Sequence, residues 1–329
     1  MLDIFRNDAF SLTSLTDAIL KSPYKPGRLQ AMGLFGEKSI ATTNIVVEEK
    51  DGRLELIQTS PRGGPGSQLG TAKRRARSFL ANHIEKDSTI YADEVQGVRA
   101  FGSESATETI QGLVNERLEE LRQFIEATIE WHRVGALKGL VLDADSSTLL
   151  DIYAAFGVSQ QVYAMSIDTG AEEVRRQCIE IQRLIEDEMG AEPISSYRAF
   201  CGDAFFDALL ESDSIKETLK YQEGARLRED LRKGFLFGGI TFENYRGSVG
   251  ATSFFDDDEA YVIPEGTSIF KTYFAPADFN ETVNTFGKRM YAKTFTDPEL
   301  QRWTKVHSQS NLLALNLRPR AVVKLTLTT

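Results

Sequence analysis

The alternation of apolar and polar residues predicts one long amphipathic helix in the first half of the chain. Apolar residues recur every three to four positions between residues 110 and 132, which is helical spacing. The run Ser105-Ala106-Thr107-Glu108 is typical of a capping box at a helix start, and Gly135 is predicted to end the helix. At ~1.5 Å per residue the helix would extend about 45 Å. The predicted buried stripe consists of Ile110, Leu113, Val114, Leu118, Leu121, Phe124, Ile125, Ile129 and His132. The positions predicted to face solvent are Glu116, Arg117, Glu119, Glu120, Arg122, Glu126 and Arg133.

Before this helix, residues 39–88 show strand-like runs without a helical period. Asp51-Gly52 lies between two β-rich runs and is typical of a tight hairpin turn. A glycine-rich stretch follows, and residues 73–84 are predicted to form a further strand. If the segment doubles back once, it would reach roughly 60 Å at ~3.3 Å per residue. We therefore expect a protruding β arm, for which a monomer has little use.

The other segments alternate between predicted helices and strands. Residues 11–21 could form a short helix within an N-terminal arm that has too few apolar residues for its own core. Two strands are predicted around residues 143–147, and an amphipathic helix at residues 171–190. A strand at residues 195–202 precedes a helix for which Asp203 is the predicted N-cap. The predicted buried positions of the helix at 171–190 are Val174, Cys178, Ile181, Ile185 and Met189.

The last third of the chain is predicted to be mainly β. Residues 234–247, "GFLFGGITFENYRG", are predicted to be a hairpin-forming strand region. The tail from Tyr261 onward consists of further strand-like runs, and "AVVKLTLT" is the last of them.

Composition narrows the class of protein. The 329 residues are 41% hydrophobic and 26% charged, which is enough apolar material for a sizeable core. The formal net charge of −10 argues against a general nucleic-acid binder. No apolar run is long enough for a membrane helix, and the N-terminus does not have the pattern of a signal peptide. With only Cys178 and Cys201, we expect an intracellular protein with reduced thiols.

One acidic stretch raises the question of phosphatase chemistry. In "GLVLDADSSTLL", Asp143 and Asp145 have the spacing of the nucleophile and general acid of haloacid-dehalogenase-type phosphatases. Asp203 and Asp207 follow Gly202 in a pattern similar to the magnesium-binding motif of those enzymes. However, there is no lysine between residues 138 and 216 to neutralise an aspartyl-phosphate, and such chemistry depends on electrostatic stabilisation. We therefore expect turn and N-cap aspartates, with no catalytic residue.

Other candidate sites are weaker. His83, His132 and His307 are scattered without metal-ligand spacing, so neither a zinc site nor a cofactor is expected. His132 is predicted to be a packed, hydrogen-bonded core residue. The glycine-rich stretch lacks the Lys-Ser/Thr ending of a phosphate loop.

A basic stretch is the strongest candidate contact surface. No Asp or Glu occurs between Glu55 and Glu85. The basic residues there are Arg62, Lys73, Arg74, Arg75 and Arg77. They could bind nucleic acid, but a solvated strand face or an electrostatic contact with another subunit fits the acidic chain better. The opposite charge is present in the cluster Asp256, Asp257, Asp258 and Glu259.

The order of these elements and several sequence phrases resemble one family. "TSPRGGPGSQ", "ADEVQGVRAFGSE", "LKGLVLDADSSTLLDIYAAFGV", "CGDAFFDAL", "GGITFENYRG", "FKTYFAPADFNETVNTFGKRMYAK" and "SQSNLLALNLRPRAVVKL" are similar to the lambda-type major capsid (head) proteins of tailed bacteriophages. The resemblance covers about residues 43–327.

The resemblance implies a Hong Kong 97-type capsid fold of class α+β, with five parts. These are an N-terminal arm (1–38), an extended β-hairpin loop (39–88), a peripheral domain with a spine helix (89–154), an axial α/β domain (155–260) and a β-rich return of the peripheral domain (261–329). The two aspartates after the helix would then be turn residues.

The resemblance also implies a structural function rather than an enzymatic one. Subunits would assemble as hexamers and pentamers into an icosahedral head that encloses double-stranded DNA without sequence-specific binding. Scaffolding, portal and decoration proteins are possible partners, and no membrane partner is expected. The protein would be a virion component that assembles in the host cytoplasm. An encapsulin-like compartment shell, which shares the fold, is the alternative.

Overall fold

The computed structural model is an α+β protein whose strands form two main sheets. It describes residues 10–25, 27–50, 74–95, 106–167, 170–213, 215–216, 234–250 and 252–328. The helices are α1 (Leu12–Lys21), α2 (Arg28–Ala31), α3 (Ala92–Val95), α4 (Ala106–Lys138), α5 (Ile152–Phe156), α6 (Ala171–Met189) and α7 (Asp203–Glu211). The first strands are β1 (Gly36–Ser39), β2 (Asn44–Lys50), β3 (Arg74–Leu80), β4 (Asn82–Tyr91), β5 (Leu140–Leu142), β6 (Thr148–Asp151), β7 (Gln161–Met165) and β8 (Ser196–Cys201). The remaining strands are β9 (Phe235–Phe237), β10 (Ile240–Asn244), β11 (Ser248–Val249), β12 (Thr252–Ser253), β13 (Glu259–Glu265), β14 (Phe270–Ala275), β15 (Tyr291–Thr296), β16 (Trp303–Asn316) and β17 (Val323–Leu327).

The first main sheet is organised by the 14-residue strand β16. Its order is β1-β14-β16-β15, and β4 pairs with β16 as well. The long helix α4 packs on this sheet through an apolar cluster that includes Leu118, Ile125 and Ile129, all at most 1% exposed. The short helix α1 adds Leu15 and Ile19 to the same cluster. The N-terminal segment is therefore fastened to this sheet.

The second main sheet has six strands in the order β7-β17-β13-β8-β10-β9. Helix α6 contributes the predicted stripe Val174, Cys178, Ile181, Ile185 and Met189, and each of these side chains is at most 1% exposed. The predicted hairpin at 234–247 is present as β9 and β10, which pair antiparallel. The last strand, β17, lies in this second sheet between β7 and β13.

Helix α4 is longer than the sequence predicts. The stop predicted at Gly135 is wrong, because α4 continues to Lys138 and the chain turns at Gly139, whose φ is +91°. Gly135 has a different role: a Cβ there would lie 2.9 Å from the backbone of Leu140 and Val141. Glycine at 135 therefore allows β5 to pack directly against the end of α4.

The predicted stripe of α4 also needs correction at its edges. Phe124 is 60% exposed, although its spacing predicts burial. Arg122, Glu126 and Arg133 were predicted to face solvent, but they are 5%, 8% and 1% exposed. Periodicity separates apolar from charged residues, and it does not detect a charged residue that is buried with a partner from a distant part of the chain.

The local predictions around the two acidic stretches have mixed outcomes. Strands β5 and β6 form the predicted pair around residues 143–147. The prediction that Asp203 caps α7 is wrong, because Gly202 is the N-cap and Asp203 is the first helical residue. The turn predicted at Asp51-Gly52 lies outside the described residues, within which β2 pairs with β3.

Candidate subunit-contact surfaces

Asp143 and Asp145 lie in the turn between β5 and β6. The Asp143 carboxylate accepts a hydrogen bond from the amide of Ala144 at 2.7 Å, and Asp145 accepts one from the amide of Ser147 at 2.9 Å. Hydrogen bonds from the Ser147 side chain and amide lower the pKa of the solvent-exposed Asp145 carboxyl. Both carboxylates hold the turn, in which Ser146 has a positive φ of 67°.

In the second acidic stretch, Asp203 also makes structural contacts. Asp203 accepts from Asn244 Nδ2 at 3.0 Å and pairs with Arg246 Nε at 3.0 Å. Within the described ranges, no group of three or more His, Cys, Asp or Glu side chains has an arrangement that could hold a metal ion. The motif that is similar to a phosphatase is therefore divided between a hairpin turn and a helix start.

His132 is 2% exposed on α4. Burial lowers its pKa to about 4, so its imidazole is neutral at physiological pH. The prediction of a packed residue fits, but the prediction that it is hydrogen-bonded does not hold for Nδ1. This atom has no hydrogen-bond partner among the residues that the structure describes.

The paired strands β2 and β3 form the base of the predicted arm. Ile45 and Phe79 are register partners, and both are buried in the core of the subunit. The Phe79 ring stacks on Phe156 of α5 at a centroid distance of 6.1 Å. The guanidinium of Arg77 lies 4.8 Å from the centre of the same Phe156 ring. The base of the arm is thus anchored to α5 of its own subunit, and Arg77 takes part in this anchor.

The β2–β3 register places the next basic residues in different surroundings. Arg75 is the register partner of Glu49, whereas Arg74 is the register partner of Lys50. The residues that are opposite each other at the end of the described strands are thus one like-charged and one oppositely charged pair by sequence. The other two predicted contact residues, Arg62 and Lys73, lie outside the described residues.

The acidic cluster consists of an exposed turn at residues 256–258 and of Glu259, the first residue of β13. Asp256 pairs with Lys138 at the end of α4 over 3.2 Å, and Glu259 pairs with Lys324 of β17. The carbonyl of Asp257 accepts from the amide of Phe205 at 2.8 Å and so holds the start of α7. Asp256, Asp257 and Asp258 are all exposed, and among the described residues Asp257 and Asp258 form no ion pair.

A buried ionic network along α4 was missed by the sequence prediction. Arg289 donates from Nε to Glu126 at 2.9 Å and makes a second bond to the same carboxylate. Arg133 donates to Glu37 at 2.8 Å, and Glu37 also pairs with Arg289. Arg122 donates to carbonyls at the end of α1, to Ile19 O at 2.8 Å and Leu20 O at 2.7 Å. The spacing of Arg122 and Glu126 permits an i,i+4 pair, but the partners from residues 19–37 and 289 have no local signal.

Beside this network lies a groove of about 670 Å³. One wall is α4, which contributes Glu119, Gln123, Glu126, Ala127 and Glu130. The other walls are Pro23, Tyr24, Lys25, Gly27 and Arg28 from the segment after α1, and Tyr245, Gly247, Ser248, Val249 and Phe254 around β11 and β12.

Glu130 is the most buried carboxylate of this groove, at 4% exposed. Its Oε1 accepts from the Leu29 amide at 2.6 Å and from the Tyr245 hydroxyl at 3.2 Å. Its Oε2 has no hydrogen-bond partner within the described part of the chain. Burial raises the pKa of Glu130, although these hydrogen bonds and Arg133 oppose the shift.

Several large apolar side chains are exposed on loops near the five-stranded sheet. Phe286 is 73% exposed and Val283 is 62% exposed, yet hydrogen bonds of Thr282 and Thr285 brace the loop that carries them. Phe295, near the end of β15, is 54% exposed, and Leu300, between β15 and β16, is 63% exposed. Among the described helices, none is long and apolar enough to cross a membrane.

Comparison with known proteins identifies the family of similar chains. Residues 11–327 of the chain match the sequence model of the family "Phage major capsid protein E". The major capsid protein of Pseudomonas phage KPP10 is 27% identical, with 96% of both chains covered. The major capsid protein of Salmonella phage Felix O1 is 22% identical, with 98% of both chains covered.

Solved structures share the fold at low sequence identity. The mature capsid of bacteriophage PhiM1 matches with a TM-score of 0.52 at 11% identity, covering 94% of this chain and 89% of that one. A chain of Gordonia phage Cozz matches with a TM-score of 0.53 at 11% identity and the same coverage.

Proposed function

The chain belongs to the phage major capsid protein E family, and we propose that its subunits assemble through hexameric and pentameric rings. As a major capsid protein with a Hong Kong 97-type fold, it forms the icosahedral head of a phage and is a component of the virion. The observation that carries this function is the family match over residues 11–327. The ring sizes, the partner proteins and the contact residues are proposals that go beyond this match.

The two sheets support an assignment of parts within the subunit. We assign the six-stranded sheet, with α6 and α7, to the axial domain that meets its copies around the symmetry axes. The five-stranded sheet, with α4, is the peripheral domain. The boundary predicted between residues 260 and 261 falls within β13, and β17 lies in the six-stranded sheet. The tail therefore contributes to both parts, and β2 with β3 forms the base of the extended loop.

The basic arm is the proposed contact with a neighbouring subunit. Arg62, Lys73, Arg74 and Arg75 are its candidate residues, and Arg77 would orient the arm through Phe156. On the acidic turn, Asp256 and Glu259 pair with lysines of their own chain. Asp257 and Asp258 are therefore the stronger candidates for contacts between subunits. Such charge pairs set orientation and register more than they add affinity.

The remaining partners follow from this function. The head would enclose double-stranded DNA without sequence-specific contacts, and a net charge of −10 would keep the genome from adhering to the wall. Scaffolding, portal and decoration proteins are candidate partners during assembly in the host cytoplasm. The proposed role is that of a structural subunit without catalytic activity; in support of it, Asp143, Asp145 and Asp203, three of the four aspartates that suggested phosphatase chemistry, make structural contacts.

Electron microscopy of the purified protein tests this function directly. The protein would be expressed alone and together with the proteins encoded beside it. Closed icosahedral shells, or rings of six and five subunits, are the expected result. Small monomers under both conditions would contradict the proposed assembly.

A further inference from the structure

The groove beside α4 has a carboxylate towards each end of its helical wall. Glu119 and Glu130 both line it. Because an α-helix has about 3.6 residues per turn and rises ~1.5 Å per residue, these two positions lie on the same face of α4, roughly 16 Å apart along its axis. The carboxylate between them, Glu126, forms a two-point ion pair with Arg289. The helical wall therefore has two acidic ends and a neutralised middle.

Each acidic end has bonding capacity that the described part of the chain does not use. Glu130 is 4% exposed, and its Oε1 accepts from the Leu29 amide and the Tyr245 hydroxyl, whereas its Oε2 has no hydrogen-bond partner among the described residues. A buried carboxylate oxygen without a donor is unfavourable, so a ligand that supplies an N–H group there would relieve that cost. Glu119 is half-buried, and no described residue forms an ion pair or a hydrogen bond with it. Both ends can therefore accept from a cationic donor.

The other walls of the groove are apolar or carry charges that face solvent or a partner. Tyr245 and Phe254 form an edge-to-face pair with a centroid distance of 5.8 Å, and aromatic rings attract ammonium groups. Arg28 Nη2 donates to Glu243 Oε2 at 2.8 Å, and Lys25 is exposed. The volume of about 670 Å³ falls within the range of small-molecule sites, about 300–1,000 Å³. The groove thus combines an aromatic wall with two separated carboxylates.

We propose that the groove beside α4 binds a linear polyamine, with one terminal ammonium group at Glu130 and the other at Glu119. The ammonium group at Glu130 supplies the donor that Oε2 lacks, since such a group only donates hydrogen bonds. The methylene chain lies along Ala127 and the aromatic wall, past the neutralised Glu126. A divalent metal ion fits less well, because it requires about six or more oxygen ligands close together. The inference goes beyond the proposed function, because it concerns a small ligand of a single subunit.

Such a ligand would connect parts of the subunit that belong to different sheets. Helix α4 packs on the five-stranded sheet, whereas β11 and β12 follow β10 of the six-stranded sheet. Residues 23–28 supply the third wall. A molecule that contacts all three walls only in the folded subunit stabilises that subunit as the ligand concentration rises. The site therefore has a readout in thermal stability as well as in binding.

Isothermal titration calorimetry of unassembled full-length subunits with spermine tests the site. We expect saturable, equimolar binding by the wild type, and Glu119→Gln and Glu130→Gln should each weaken it by about tenfold or more. Glutamine at 130 keeps an oxygen for the bonds from Leu29 and Tyr245, and thermal melting verifies that both variants are folded. The matched control is Glu116→Gln, which removes the same charge from an exposed position of α4 outside the groove and should bind as the wild type does. No saturable binding, or an equal loss in the control, would overturn the proposal.

Ligand length distinguishes this site from a general attraction of cations to an acidic chain. Putrescine and dodecamethylenediamine carry the same charge, but only the longer diamine spans both carboxylates, so it should bind about tenfold or more tightly than putrescine. That advantage should disappear in Glu119→Gln, where one end of the longer diamine has no anionic partner. Spermine should also raise the melting temperature of the wild type well above any shift in Glu130→Gln.

Two results of these titrations would overturn the polyamine site. One is a length advantage that persists in Glu119→Gln, and the other is full displacement of spermine by Mg²⁺ at equal ionic strength, which would indicate unspecific ion binding. Shell formation is scored separately by electron microscopy of the wild type. Absence of shells would therefore contradict the proposed function alone, and absence of spermine binding would contradict this site alone.

Discussion

Glu126 of α4 and Arg289, which precedes β15, form a two-point ion pair that is almost shielded from solvent. The Glu126 and Arg289 side chains are 7% and 13% exposed. The pair joins two parts of the chain that are 163 positions apart. Because Glu37 pairs with Arg289 as well, the same arginine also fastens β1.

Breaking this pair on one side should destabilise the subunit strongly. Arg289→Met leaves the Glu126 carboxylate buried without its main partner, which costs about 3–5 kcal/mol in free energy of unfolding. Guanidinium unfolding of unassembled subunits, followed by circular dichroism, measures this loss. The control is Arg176→Met, which removes a pair with Glu173 from a side chain that is 66% exposed and should leave the unfolding midpoint unchanged. Equal midpoints for both variants would contradict the role assigned to Arg289.

The two glycines of α4 should respond to alanine in opposite directions. Gly135→Ala places a Cβ 2.9 Å from the backbone of Leu140 and Val141, and such overpacking costs about 1–3 kcal/mol. Gly112 has no atom within 4 Å of the added Cβ, so Gly112→Ala should stabilise the helix by about 0.5–1 kcal/mol. Thermal unfolding of the two variants measures both effects. A stabilised Gly135→Ala variant would show that β5 can move away from the helix without cost.

His132 should make the unassembled subunit sensitive to mild acid. Its folded pKa is lowered to about 4 from a usual value of 6.5, so the unfolded chain binds the proton more readily within that interval. Stability is therefore lost as the pH falls from about 6.5 towards about 4. His132→Leu should remove this part of the slope when melting temperature is plotted against pH. An unchanged slope in the variant would assign the acid sensitivity to other groups.

His83 supplies a control of opposite sign. Burial opposes its charge, but hydrogen bonds with Asn311 and Glu85 outweigh that effect and raise its pKa above 6.5. Its contribution to stability is complete below pH 6.5 and is lost as the pH rises through the raised value. His83→Gln should therefore flatten the slope above pH 6.5 and leave the acid side as in the wild type. A change confined to the acid side would contradict this assignment.

The basic arm should be required for assembly and dispensable for folding. Arg74→Glu combined with Arg75→Glu reverses two charges at the end of the described β2–β3 pair. We expect blocked or misdirected assembly in electron micrographs, with a melting temperature of the free subunit close to that of the wild type. Normal shells from this double variant would contradict a role for these arginines between subunits.

The sequence predicts which helices and strands form better than it predicts where they end or which charged residues in them are buried. The stripe of α6 is apolar and period-regular, and every predicted member is buried. In α4, burial of Arg122, Glu126 and Arg133 depends on partners such as Glu37 and Arg289. Such partners are brought close only by the tertiary fold, and a local pattern has no information on them.

The contact surfaces, too, were predictable from the sequence only in part. The sequence indicates which segments are basic and which are acidic, and the resemblance indicates that they meet in a shell. The groove beside α4 was not predictable, because its walls come from residues 23–28, α4 and residues 245–254. The β2–β3 register places Lys50 opposite Arg74. This could not be predicted from the sequence, because residues 51–73 separate the two positions.

Among the described residues, the chain passes between its two main sheets through α4, through the link from β13 to β14 and through the link from β16 to β17. The last two are short, at residues 266–269 and 317–322. A sideways pull from neighbouring subunits in a shell would be shared among these covalent paths in parallel. The wall should therefore respond to internal pressure as a stiff elastic sheet, in which the two halves of each subunit twist slightly together and do not swing apart about a single joint.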